Sequence, residues 1–209
     1  MKIILIRQAE TDMPWAARYS AADFEAAAAE EQRRAAAVRE EKKSDALAYR
    51  VYTGTSAASR ETAERLFTLR EPPIATALLD DVPLRAYRDG EASRPLWLWR
   101  TMRSIQWAAG SSRQAETRTD TLRRVREFVD LLEAEERDSI VVCRGLTMSA
   151  LKAMLRAKGY CLEGGDLLPK PLERVRASKR SLHCGGCAHN CLLSEAKCPT
   201  GQSKAKGIR

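Results

Sequence analysis

Met1-Lys2-Ile3-Ile4-Leu5-Ile6-Arg7-Gln8-Ala9-Glu10-Thr11 opens the chain. Its four consecutive apolar residues are too few for a helix and fit a strand buried on both faces, the usual form in a parallel sheet. The polar loop that follows places Arg7 and Gln8 at the strand's C-terminal end. Further along, the β-branched and aromatic residues of 49–53, 74–79 and 139–143 read as three more strands.

Helical patterns separate these strands. Residues 21–48 are rich in Ala, Glu, Arg and Lys, with Ser20 or Asp23 as N-cap, and read as a long, mostly solvated helix. Residues 59–69 form the next. Within 95–107, Leu96, Trp99, Met102, Arg103 and Ile105 fall around a helix that carries three tryptophans. It is expected to pack over the mouth of the domain. Leu122, Val125, Phe128, Val129 and Leu132 give residues 120–136 the clearest amphipathic stripe. Residues 146–158 make the last helix. Strands alternating with helices imply a three-layer α/β/α domain with a mainly parallel sheet.

The chain has 209 residues and is 44% hydrophobic, enough for one substantial core plus an appendage. No apolar run approaches the ~20 residues of a membrane span. The opening run is also too short for a secretory leader, so the expected compartment is the cytoplasm. The net charge of +8 is concentrated at one end. Residues 170–209 carry nine Lys or Arg against Glu173 and Glu195, and the remainder is about neutral. Composition changes beyond Gly164-Gly165. The boundary is therefore placed near residue 165, between an α/β domain at 1–165 and a basic tail at 166–209.

Five blocks, in order along residues 1–160, resemble the histidine phosphatase (phosphoglycerate mutase-like) superfamily. They are Arg7-Gln8-Ala9-Glu10-Thr11; residues 51–66 from Val51-Tyr52-Thr53-Gly54 to Thr62-Ala63; Leu78-Leu79-Asp80-Asp81; Glu116-Thr117 with Arg124-Val125; and Ile140 to Cys143-Arg144-Gly145. The resemblance implies a phosphoglycerate mutase-like fold and phosphomonoester hydrolysis or phosphoryl transfer. In that chemistry a histidine attacks phosphorus in line. Two arginines and a second histidine neutralise its oxygens, and a carboxylic acid protonates the leaving group.

Matched position by position, this chain keeps little of that machinery. The family reads Arg-His-Gly-Glu-Thr in the first block, and here Gln8 stands at the nucleophile. A carboxamide has no accessible pKa and is a poor nucleophile. Ala58 occupies the second arginine position, with Arg60 two residues on as a substitute. Arg144 stands for the second histidine, and Asp81 for the acid. The chain's two histidines, His183 and His189, both lie in the tail. Arg7, Arg144 and Arg60 remain as candidate anion contacts. Guanidiniums at the C-terminal ends of parallel strands suit a phosphorylated or other anionic small molecule. Cys143, in an apolar strand, reads as a buried core thiol.

The tail holds a second constellation, Cys184, Cys187, Cys191 and Cys198, spaced Cys-x2-Cys-x3-Cys-x6-Cys. In a reducing compartment such a cluster reads as a metal site before it reads as disulfides. Four thiolates suit tetrahedral zinc, while the final Cys198-Pro199 resembles an iron–sulfur run. Redox-labile surface thiols are the third reading. His183 and His189 are substitute ligands or hydrogen-bond partners of ligands.

Three functions follow. The first is a catalytically silent, phosphatase-like binding or regulatory module. The second is a weakly active phosphatase or mutase using another nucleophile. The third is a zinc-knuckle-like tail that binds nucleic acid, or a protein, from a structural carrier. No membrane partner is expected.

Overall fold

The structure is a computed structural model that describes residues 1–37, 43–83, 85–165 and 170–179. The chain begins with β1 (Lys2–Arg7) and β2 (Arg18–Tyr19), followed by α1 (Ala21–Arg33). Next come β3 (Ser44–Asp45), β4 (Arg50–Thr53), α2 (Ala57–Leu66), β5 (Phe67–Thr68) and β6 (Ile74–Ala75). A single 3-10 turn, Ala77–Leu79, precedes β7 (Arg94–Pro95) and α3 (Leu96–Ala108). The order ends α4 (Arg118–Glu135), β8 (Ser139–Cys143), α5 (Gly145–Ala157), β9 (Tyr160–Glu163) and β10 (Arg174–Lys179).

Six strands form the main sheet in the order β6-β4-β8-β1-β10-β9. Pairings β6-β4, β4-β8 and β8-β1 are parallel, while β10 lies antiparallel to both β1 and β9. Alternation along the strands divides the core. Ile3, Leu5, Val141 and Cys143 pack with Phe128, Val129, Leu151 and Leu155 of α4 and α5. Ile6, Val51, Ile140 and Val142 pack on the opposite face with Ala58, Ala63 and Leu66 of α2. Helices therefore cover both faces, and the expected mainly parallel three-layer α/β architecture is the one observed.

A smaller cluster sits beside it, built from Tyr19, Phe24, Ala86 and Trp99. The Phe24 and Trp99 rings stack with centroids 5.4 Å apart and planes 15° from parallel, joining α1 to α3. Trp99 also donates its indole N–H to the Tyr19 carbonyl at 3.1 Å.

Several boundaries differ from those read in the sequence. The helix expected over 21–48 stops at Arg33, although the Ser20 cap is as expected. Tertiary pairing overrides its propensity there: Ala36 forms a bridge with Thr11, and Ala37 donates to the Glu10 carbonyl. The strand expected over 74–79 is only Ile74–Ala75, because Thr76 caps the 3-10 turn that follows. The domain end expected near residue 165 lies later. β10 is built into the sheet between β1 and β9, and the compact unit runs Met1–Lys179. Cys184, Cys187, Cys191 and Cys198 lie outside the described residues. Among the described residues, no helix is long and apolar enough to cross a membrane.

Candidate functional site

Parallel strands deliver their last residues to a common edge, and the next loops carry the chemistry. β1 and β8 pair in register with Arg7 opposite Cys143, so Arg7 and Arg144 emerge side by side. The two backbone positions are neighbours, while their side chains have different partners. The Arg7 guanidinium lies over Gly145, where an added Cβ would sit 3.6 Å from its Nε. Gly145 opens α5, and the N-cap residue, Arg144, provides no side-chain cap to that helix end.

Gln8 is 4% exposed. Its backbone N–H donates to the Cys143 carbonyl at 2.9 Å. Its side-chain Oε1 accepts from the Ser59 hydroxyl at 2.5 Å. Ser59 comes from the buried face of α2, whose first turn Ser56 caps. The adjoining Ala9 N–H donates to Thr62 Oγ1 at 3.1 Å. The carboxamide is thus fixed by packing and by a hydroxyl. Ser59 itself faces an amide rather than a base, so nothing here activates it as a nucleophile.

Arg144 is held on the other side by two carboxylates. Its Nη1 donates to Glu31 Oε2 at 3.0 Å and to Asp81 Oδ2 at 3.1 Å. All three side chains are less than one-fifth exposed. Burial works against the Arg144 charge, yet Asp81 and Glu31 together hold its pKa above the ordinary arginine value. The group expected to bind an external anion is therefore met by two internal ones.

Asp81 is positioned by the loop that carries it. Arg124 of α4 donates to the carbonyls of Leu78 at 2.7 Å and Asp80 at 2.9 Å, and pairs with both Glu116 oxygens. Thr147 adds a bond to the same Asp80 carbonyl at 2.9 Å. The Asp80 side chain accepts from the Thr55 N–H and hydroxyl. Gly54 lets this loop approach β4, since a Cβ there would lie 3.1 Å from the Leu79 carbonyl oxygen.

Arg60 does not join the site. It lies on the exposed face of α2 and pairs with Glu64 one turn on, while Ala58, Ser59 and Thr62 face inward. Helical periodicity explains the miss, because a two-residue offset turns a side chain to the far side of the helix. Cys143 is fully buried against α4 and α5, and burial pushes its thiol well above the ordinary range. It is no substitute nucleophile.

Two residues belong to the cluster without having been singled out as site residues. Glu31 shares the α1 face of Phe24 and Ala28 at positions i, i+4 and i+7, so the helical stripe pointed to it. Arg103 follows Trp99 by one turn on the buried face of α3. Its charged neighbours are Asp81, Arg144, Arg100 and Glu31, and burial draws its pKa below the ordinary value. Among the described residues, no group of three or more His, Cys, Asp or Glu is placed to hold a metal ion.

No protein-family model and no curated protein sequence matches the chain. Solved structures do resemble it. Phosphoglycerate mutase from Thermus thermophilus aligns at 19% identity and TM-score 0.46, covering 84% of this chain and 92% of that one. A mycobacterial glucosyl-3-phosphoglycerate phosphatase aligns at 18% identity and TM-score 0.45, covering 74% of this chain and 78% of that one. A protein titled mycobacterial hydrolase 2 aligns at 16% identity and TM-score 0.45, covering 74% and 71%.

Proposed function

We propose that this chain is a catalytically silent relative of the histidine phosphatases, whose strand-end pocket recognises a phosphate-type oxyanion without turning it over. The observation that carries the reading is Gln8. It occupies the position that the sequence pattern gives to the nucleophile, where it is buried and bonded to Ser59. Residues 1–182 contain no histidine to replace it. What remains suits recognition: Arg7 over the N-terminus of α5, Arg144 beside it, and a partly neutralising pair of carboxylates.

The test combines turnover with binding. Purified protein incubated with p-nitrophenyl phosphate and with phosphoglycerates should release no phosphate above a heat-inactivated control. It should trap no phosphoenzyme, yet bind inorganic phosphate saturably. Robust turnover by the unmodified protein overturns the reading.

We also propose that Cys184, Cys187, Cys191 and Cys198 of the tail bind one zinc ion. Its support is the ligand count and spacing alone.

A further inference from the structure

Arg103 is 7% exposed, a degree of burial unusual for a guanidinium. Its Nη1 makes no hydrogen bond among the described residues. Leaving a charged donor buried and unsatisfied forfeits its hydration with nothing in return, so such a group calls for an acceptor or a use. Glu31 and Asp81, whose charges Arg103 senses, accept from Arg144 Nη1 and not from this atom.

Packing holds this guanidinium at the cluster. The Phe24–Trp99 stack joins the buried faces of α1 and α3. Moving along each face reaches Glu31 from Phe24 and Arg103 from Trp99. Electrostatics agrees, since Arg103 senses Asp81, Arg144 and Glu31 together. The N-terminus of α5 adjoins the same cluster and has no side-chain cap from Arg144. Meanwhile Ala58 is buried and Arg60 pairs with Glu64 on the exposed face, so α2 presents no arginine here.

We propose that Arg103, on α3, is a ligand-binding arginine of this pocket, its Nη1 donating to an oxygen of a bound phosphate-type oxyanion. It would do from a different element what the family pattern assigns to an arginine at position 58. This rests on the reading of the pocket given above. Arg7, Arg103 and Arg144 against Glu31 and Asp81 leave one net positive charge, which favours anions of low charge and modest affinity.

The experiment titrates the full-length protein with inorganic phosphate at constant ionic strength. The readouts are tryptophan fluorescence, to which Trp99 reports from one turn away, and melting temperature. Wild type should saturate. Arg103→Gln should bind at least 10-fold more weakly, and Arg60→Gln should bind like wild type. Arg103→Lys keeps the charge but lacks Nη1, so it tests the donor even where Arg103→Gln destabilises the fold. It should lose several-fold in affinity. If wild type binds, Arg144→Gln does not, and Arg103→Lys matches wild type, the role of Arg103 is refuted while the pocket stands. If no form binds phosphate at any attainable concentration, both readings fail.

Discussion

Arg144 and Glu31 are 113 residues apart in sequence, yet their side chains meet at 3.0 Å, each less than one-fifth exposed. The pair joins the end of a core strand to α1, a helix outside the main sheet. It also engages, with a carboxylate of the chain itself, an Arg144 donor that the proposed oxyanion would need. Glu31→Gln should therefore tighten phosphate binding by roughly 10-fold, equivalent to ~1.4 kcal/mol. Asp81 still balances Arg144, so the stability cost should stay below the 3–5 kcal/mol of an abandoned buried charge. The check is a paired phosphate titration and urea melt of both forms. Unchanged or weaker binding by Glu31→Gln would show that this carboxylate does not compete with the ligand.

Arg124 holds the Asp80–Asp81 loop from α4 through the carbonyls of Ala77, Leu78 and Asp80 and a two-oxygen pairing with Glu116. Arg124→Met removes all of these and leaves Glu116 partly buried without its cation. A loss of about 3–5 kcal/mol is expected. Phosphate affinity should fall as well, because Asp81 then loses the support that aligns it with Arg144. Urea midpoints measure the first effect and the titration measures the second. A fall in stability with affinity intact would separate the loop from the pocket.

How far this was legible follows from the range over which each residue acts. The strand of residues 139–143 matched its bounds, since an apolar run of that length has one physical use in an α/β chain. The adjacency of positions 7 and 144 was legible because strand ends in a parallel sheet share an edge. Residues 21–48 misled because Ala-rich sequence favours helix everywhere, whereas distant partners, Thr11, Glu10 and Glu61, take up the backbone beyond Arg33. β10 was missed because its alternation of Arg174, Arg176 and Ser178 with Val175 and Ala177 lies in a basic segment. That period of two marks a strand with one face on a core. Arg103 was visible as part of a helix, but its role needs the Phe24–Trp99 stack, which no local pattern encodes.

Gly54 is a point where a small residue sets a close approach. A methyl group there would meet the Leu79 carbonyl oxygen at 3.1 Å and the Asp80 carboxylate at 3.3 Å. Gly54→Ala should cost about 1–3 kcal/mol, the usual range for overpacking a rigid site. Chemical denaturation reads it directly. A neutral result would mean that the loop bearing Asp80 yields more readily than its bonds to Thr55, Arg124 and Thr147 imply.

At the start of α4, Thr117 and Asp120 form a reciprocal capping box. Thr117→Ala should cost about 1 kcal/mol. The Thr117 hydroxyl and backbone N–H hold the Asp120 carboxyl below its usual pKa, and Arg123 adds to this. The Asp120 contribution is complete above the unfolded carboxyl value of about 4, and is lost as pH falls through the lower folded value. Melting temperatures of wild type and Asp120→Asn should therefore differ at pH 7 and converge as pH falls below about 4. A gap that persists at pH 2 would locate the effect outside this carboxylate.

The tail's four cysteines, Cys184, Cys187, Cys191 and Cys198, lie outside the described residues. Thiols this close together repel one another once ionised. A divalent cation removes that repulsion and gains four ligands in one short segment. Among the described residues, the Met1–Lys179 unit builds its own core from Ile3, Leu5, Val141 and their partners. Metal occupancy and stability of the unit should therefore be uncoupled. Protein purified without oxygen is expected to carry one zinc ion per chain and to be colourless. Cys187→Ser or a strong chelator should remove the metal while the main melting transition stays within about 2 °C. Elemental analysis, an absorption spectrum and a thermal melt decide it together. Brown protein with visible absorption bands would replace zinc with an iron–sulfur cluster. A main transition that collapses with the metal would show that the tail is part of what holds the sheet together.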